Sequence, residues 1–389
     1  MDKDVLAIIF SHCVDDVKDI TNLRLVNKFF NQTVSDVRAW RNFPRITVKS
    51  NIDTLVANID NLYWYHGYIS MYLSTDQIHK LPVVARHHRQ LMIDCRYNDD
   101  LVDATPFANV YGLDLRYTNV SDVSPLANVH TLCLAHTQII DVSTLANVHT
   151  IYLGGTRVVD VSALANVHYL DISYTSVTNV SALTHVHTLI LTGTKVSDVS
   201  ALTHVHTLYL TNTKVTDVSN LGHVHTLHLR GTRVNDVSAL TNVHTLNLMT
   251  TRVSDVSALT NVHTLDLSDT DVTDVSALGN VHTLTLTRTK VVDVAPLANV
   301  HTLKLHHTKV TDVHALANVH TLDLSLTGVT DVSSLGNVHN LNLSASIVTD
   351  VSALTHVHTL DLSHTRVKDV SALTLNISVN RHLYPIRQI

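Results

Sequence analysis

Aspartate recurs at Asp103, Asp122, Asp141 and Asp160, then, after Asn179, at Asp198, Asp217, Asp236, Asp255, Asp274, Asp293, Asp312, Asp331, Asp350 and Asp369, and every step equals the nineteen positions from Asp103 to Asp122. A fixed period of this length constrains the fold more than any other feature of the chain. One unit is too short to bury a core of its own, so the units must stack and share one. Fourteen units span 103–368, and a broken unit follows from Asp369. The two or three ordinary domains suggested by 389 residues therefore give way to one long repeat region.

The unit Val262–Asn280 reads V-H-T-L-D-L-S-D-T-D-V-T-D-V-S-A-L-G-N. Leu265 and Leu267 alternate with polar residues, which predicts a short strand with one buried face. Val272, Val275 and Leu278 follow at irregular spacing, so with Val262 six apolar side chains per coil can point inward. Coils stacked about 4.8 Å apart would bury these rows as a continuous core. The pattern V-x-x-L-x-L-x-x-T-x-V-x-D-V-S-x-L resembles a leucine-rich repeat of the internalin-like type. That resemblance implies a mainly β repeat solenoid, with short parallel strands and 3-10 or extended convex turns. Thr stands where the family usually has Asn, from Thr118 to Thr365 with Ser346 as the exception. A ladder of hydroxyl–backbone hydrogen bonds remains open to it. The D-V-S-x-L element fits one helical turn, its Asp accepting from an amide two or three residues on, which is a structural role for that column.

Residues 1–43 differ in texture. Val5, Ile9 and Phe10, then Ile20, Leu23, Val26 and Phe30, then Val34, Val37 and Trp40 recur at helical spacing, which predicts three short helices. Ile9-Phe10-Ser11, Leu23-Arg24-Leu25-Val26, Lys28, Phe30 and Trp40 resemble the F-box in order and spacing. Met1-Asp2 stands where that family has Leu-Pro, and Asn27 replaces its usual Cys. The resemblance implies a helical head that docks on a Skp-type adaptor of a cullin-RING ubiquitin ligase, with Val5, Leu6, Ile9, Phe10, Leu25, Val26 and Phe29 as contacts. Pairings of an F-box with leucine-rich repeats also occur in large DNA viruses, and the near-identical coils resemble a recent expansion. The alternative is that the head only caps the repeats. The expected organisation is 1–43 F-box-like helices, 44–102 linker and N-terminal cap, 103–368 fourteen repeats, and 369–389 a partial repeat with the C-terminal cap. Leu91 and Ile93 precede Leu113 and Leu115 by more than one period, which suggests a longer first coil.

Composition narrows the function. Hydrophobic residues make up 45% of the chain, enough for a large core, while a net charge of −6 with 15% charged residues argues against nucleic acid or a membrane surface as partner. Cys13, Cys95 and Cys133 form no C-x-x-C, and no signal peptide or transmembrane run is evident, so a reducing, cytoplasmic setting is expected. Glu is absent, and no nucleophile-elbow, P-loop or H-E-x-x-H motif occurs. No catalytic residue, cofactor or metal is assigned, and the expected role is non-catalytic binding of a protein target.

In leucine-rich repeats the polar positions beside the strand leucines face a ligand. Reading those columns, Tyr152, Tyr174, Ile190, Tyr209, His228, Arg230 and Met249 form the candidate target-binding set, because aromatic and Arg side chains anchor interfaces. A second column, with Arg157, Lys195, Lys214, Arg233, Arg252, Lys290, Lys309 and Arg366, makes a basic stripe that the Asp column is expected to pair with and offset, a solvated charge-paired face being preferred over a polyanion site. A third column runs from His130 to His358 with thirteen members, and His185, His204, His223 and His356 stand beside it in H-V-H pairs. Imidazole density of this kind suits a metal-binding array, the weakest of the readings, since no carboxylate or Cys completes a site and a ladder at about 4.8 Å matches no single coordination sphere.

Overall fold

The computed structural model describes residues 46–48, 52–57, 69–87, 90–373 and 378–380. The head at 1–43, with Val5, Leu6, Ile9, Phe10, Leu25, Val26 and Phe29, lies outside the described residues. The chain divides into two compact units, 1–189 and 190–389, and the described residues of both form stacked coils, each contributing a short parallel strand.

In the first unit, strands Ile46–Val48, Ile69–Tyr72, Leu91–Asp94, Gly112–Asp114, Thr131–Cys133, Thr150–Tyr152 and Tyr169–Asp171 pair in that order, all parallel. Parallel neighbours require a crossover, and here each crossover is the rest of one coil. The early crossovers are helical: Ile52–Ala57, then a 3-10 helix Thr75–Lys80 running into Leu81–His87. Ile52, Met71, Leu73, Ile78, Leu81 and Val84 are buried there, and Lys80 Nζ reaches Asp53 Oδ1 at 2.5 Å. The register corrects the expected length of the first coil. Ile93 pairs with Leu113 rather than Leu115, so that coil exceeds the later ones by a single position, and Cys95 takes the second leucine's place. Cys95 is fully buried and its N–H donates to Asp114 O at 2.8 Å, as Leu115 N–H does to Cys133 O.

In the second unit, strands Thr207–Tyr209, Thr226–His228, Thr245–Asn247, Thr264–Asp266, Thr283–Thr285, Thr302–Lys304, Thr321–Asp323, Asn340–Asn342, Thr359–Asp361 and Ser378–Asn380 stack in parallel, each one coil on from the last. The six expected columns are all inside: Val262, Leu265, Leu267, Val272, Val275 and Leu278 are each at most 2% exposed. Burying six such side chains in every coil is what holds so short a strand.

The convex segment is one turn. Leu259 N–H donates to Val256 O at 3.0 Å, and the Asp255 carboxylate accepts the Ser257 amide at 2.9 Å. The same Asp-to-amide bond recurs from Asp103 to Asp369, with Asn179 in its place once. Backbone amide and Ser hydroxyl together hold Asp217, Asp236, Asp255 and Asp274 below the ordinary carboxylate range. The Thr column is buried, but it builds no ladder between coils. Each hydroxyl donates to the carbonyl three residues earlier in its own coil, as Thr251 to Leu248 O and Thr270 to Leu267 O at 2.7 and 2.6 Å. Ser346 breaks the pattern, its buried hydroxyl having no hydrogen-bond partner.

Candidate functional site

The last position of each strand points away from the core, is half-buried at all but Lys304 among the described coils from Asp114 to Asp361, and differs in residue type from coil to coil. In the first unit Tyr152 projects from its strand and meets Tyr169 at 5.0 Å between centroids, tilted 45°. Tyr169 escapes a reading by columns because it sits in one that, between Gly112 and Thr359, holds Thr in nearly every other coil, Gly112 and Asn340 excepted. Tyr174 lies in a different column, at the turn that leaves the strand, with φ 57° and 68% exposure.

That turn column carries no sequence signal. Its residues adopt left-handed backbone in coil after coil, a conformation that side chains other than Gly and Asn resist. In the first unit it holds Tyr97, Tyr117 and His136, whose rings stack at 4.9 and 4.7 Å within 8° of parallel. At the next step Gly155, with φ 71°, leaves room for the His136 ring, since a Cβ there would lie 2.6 Å from His136 Nδ1 and the ring would have to shift. Beside the stack, Arg96 and Arg116 grip Asp94 and Asp114 at 2.6 Å each, and Arg96 Nε also approaches Asp114 at 3.6 Å. These carboxylates raise both guanidinium pKa values. Cys95 and Cys133 are pushed up to about 12 and about 11, chiefly by burial, so neither is a ready thiolate.

In the second unit Ile190 ends the strand Thr188–Ile190 and is half-buried. Tyr209 and His228 stack at 4.3 Å, 6° from parallel. Burial holds His228 below its ordinary pKa, with Asp266 opposing. Arg230 is exposed, and half-buried Met249 donates its amide to Asn247 Oδ1 at 3.0 Å. Of the seven candidates, the structure joins Tyr209 to His228 directly. Tyr152 joins a residue outside the set.

The expected pairing of the basic stripe with the Asp column is not formed. Lys290 binds Asp271 of the preceding coil at 2.6 Å, and among the described residues no member of the stripe forms an ion pair with the Asp column. The carboxylates face their own amides, which are nearer and need no long side chain to be ordered. His314, standing in a Ser position, does engage that column. Its Nδ1 meets Asp312 at 2.8 Å and its Nε2 lies 3.6 Å from Asp331, which raises its pKa.

The His column is a stack of parallel rings. In the second unit centroids from His206 to His358 are 4.6–4.7 Å apart. In the first, His130, His149, His168 and His187 are spaced by 4.5–4.7 Å. From His206 to His320 each Nδ1 sits near the hydroxyl of the following Thr, as His225 near Thr226 at 3.3 Å. Parallel rings point their Nε2 atoms in parallel rather than toward a common centre. Among the described residues no group of three or more His, Cys or Asp is arranged to hold a metal ion. No described helix is long and apolar enough to cross a membrane.

No family model matches the chain, and no curated protein does. Solved structures do resemble it. The functional domain of InlJ from Listeria monocytogenes aligns with a TM-score of 0.58 at 22% identity, over 78% of this chain and 74% of that one. An internalin (inlF) from the same organism aligns with a TM-score of 0.50 at 20% identity, over 80% and 96%. At these identities the likeness shows the leucine-rich-repeat fold.

Proposed function

We propose that the chain is a non-catalytic substrate-recognition adaptor of an SCF-type cullin-RING ubiquitin ligase, acting in the cytoplasm. The F-box-like head would dock a Skp-type adaptor through Val5, Leu6, Ile9, Phe10, Leu25, Val26 and Phe29, and the repeats would hold a target protein. The observation that carries the reading is the order of the two elements: the F-box-like run ending at Trp40 precedes a repeat region whose strand faces present aromatic pairs such as Tyr209–His228. Rings of this kind, half-buried and fixed by neighbours, lose little entropy on binding, which suits a protein partner.

Co-purification with a Skp-type adaptor tests the head, comparing the whole chain with a version starting at Phe43. Retention by the whole chain alone is expected. If both versions or neither retain the adaptor, the chain is instead a leucine-rich-repeat binding protein without a ubiquitin-ligase link.

A further inference from the structure

The charges of this chain are segregated. Residues 91–189 carry three Lys or Arg against nine Asp, whereas 190–258 carry five against four. The five are Lys195, Lys214, Arg230, Arg233 and Arg252. Four of them hold the same position in successive coils, one residue past the buried Thr194, Thr213, Thr232 and Thr251. All five side chains are exposed, and among the described residues none of them forms an ion pair. In the first unit the same position reads Asn119, Gln138, Arg157 and Ser176.

The row is held in register by the backbone. Lys214 N–H donates to Val196 O at 3.0 Å and Arg252 N–H to Val234 O at 3.1 Å. Asp198, Asp217, Asp236 and Asp255, three residues on, each accept the amide of the residue two further along at 2.9 Å. Their carboxylates are tied down against the chain, while Lys and Arg extend several ångströms beyond it. A ligand following the outer ends of the bases therefore meets cations first. At Asp271 the row stops, because that carboxylate takes Lys290.

What flanks the row limits the ligand. On one side stand Gly193, Asn212, Gly231 and Thr250, and on the other Ser197, Thr216, Asn235 and Ser254. None offers a ring for a base to stack on or an apolar shelf for a peptide side chain. We infer that Lys195, Lys214, Arg233 and Arg252, with Arg230 beside them, bind a linear phosphate polymer, recognised through charge and short hydroxyl or amide contacts. Arg230 also belongs to the candidate target-binding set, whereas the four stripe residues lie outside it, and the site does not depend on the adaptor role.

Fluorescence anisotropy of labelled long-chain inorganic polyphosphate with the full chain tests this, at about pH 7.5 where imidazoles are largely neutral. Poly-U RNA and polyglutamate are measured in parallel. Binding that weakens steeply with salt is expected, with a loss of about tenfold or more and a shallower salt dependence in Lys214→Ala/Arg233→Ala/Arg252→Ala. The matched control Arg157→Ala/Lys304→Ala/Arg366→Ala removes three cations outside the row and should bind as the parent does. Unchanged affinity in the triple variant, no binding at low salt, or tighter binding of RNA or polyglutamate than of polyphosphate would each overturn the inference.

Discussion

Two columns are almost equally regular in the sequence, Thr where the chain leaves each strand and His where it enters, yet they do opposite things. From Thr194 to Thr327 the Thr side chains of the second unit are 3–6% exposed, and each hydroxyl bonds one carbonyl of the same coil, joined there by its own amide at Thr194, Thr213, Thr232, Thr251, Thr289 and Thr308. The His rings of that unit are exposed and stack 4.6–4.7 Å apart, wider than close ring contact, because strand spacing sets the distance. A repeated residue is thus no measure of its structural weight. What separates the columns is whether removal would undo a hydrogen bond that water cannot replace.

Acid should break the comparison most sharply. Burial and neighbouring imidazoles hold His130 and His263 below their ordinary pKa, and burial does the same to His228. A depressed His binds fewer protons folded than unfolded, so its stabilisation is present above about pH 6.5 and is lost as pH falls through the folded value. Adjacent charged rings at this spacing repel by about 1 kcal/mol each even in water. The melting temperature should therefore fall between about pH 7.5 and 5, and fall less in His244→Gln/His263→Gln/His282→Gln. An identical pH profile for that variant would remove the ladder as the cause. His314 carries the opposite sign, since its raised pKa adds stability that is lost as pH rises past it. In an NMR titration taken upward in pH, His314 should stay protonated after His130 and His263 have lost their charge.

Single substitutions sharpen the contrast at neutral pH. Thr251→Val leaves Leu248 O with the backbone amide alone and should cost about 1–1.5 kcal/mol in a urea melt. Ser346→Thr restores the column's consensus at a buried hydroxyl without a partner, and a gain of about 0.5–1 kcal/mol is expected. The smallest effect is expected from His263→Ala, within about 0.5 kcal/mol of the parent. A larger loss there than in Thr251→Val would reverse the assignment of the two columns.

The legible parts of the fold are those where one physical cause repeats. The six buried columns and the Asp turn follow from period, alternation and the short reach of a carboxylate to an amide two residues on. The coil beginning at Leu91, which two further strands precede, misleads because Leu91 and Ile93 imitate the strand pair, while the true register seats Cys95 in a leucine's place. The charge pairing misleads because closeness in sequence cannot say whether Asp prefers a lysine or its own backbone. Of the candidate surface, Tyr209 with His228 emerges from column reading. The Tyr97–Tyr117–His136 stack does not, since its column changes residue type with each coil and only the left-handed backbone reveals it as one. The head at 1–43 and its seven contact residues rest on sequence resemblance alone.

The Thr hydroxyl and the Asp carboxylate both find their partners inside their own coil, and this bears on how such a gene can change length. Excising one whole coil, or inserting a copy of one, leaves every one of those bonds intact and joins two strand edges that already match. Replication slippage by a full repeat of codons would therefore produce folded chains at once, and a population of such genes would be expected to vary in coil number before it varied in core residues.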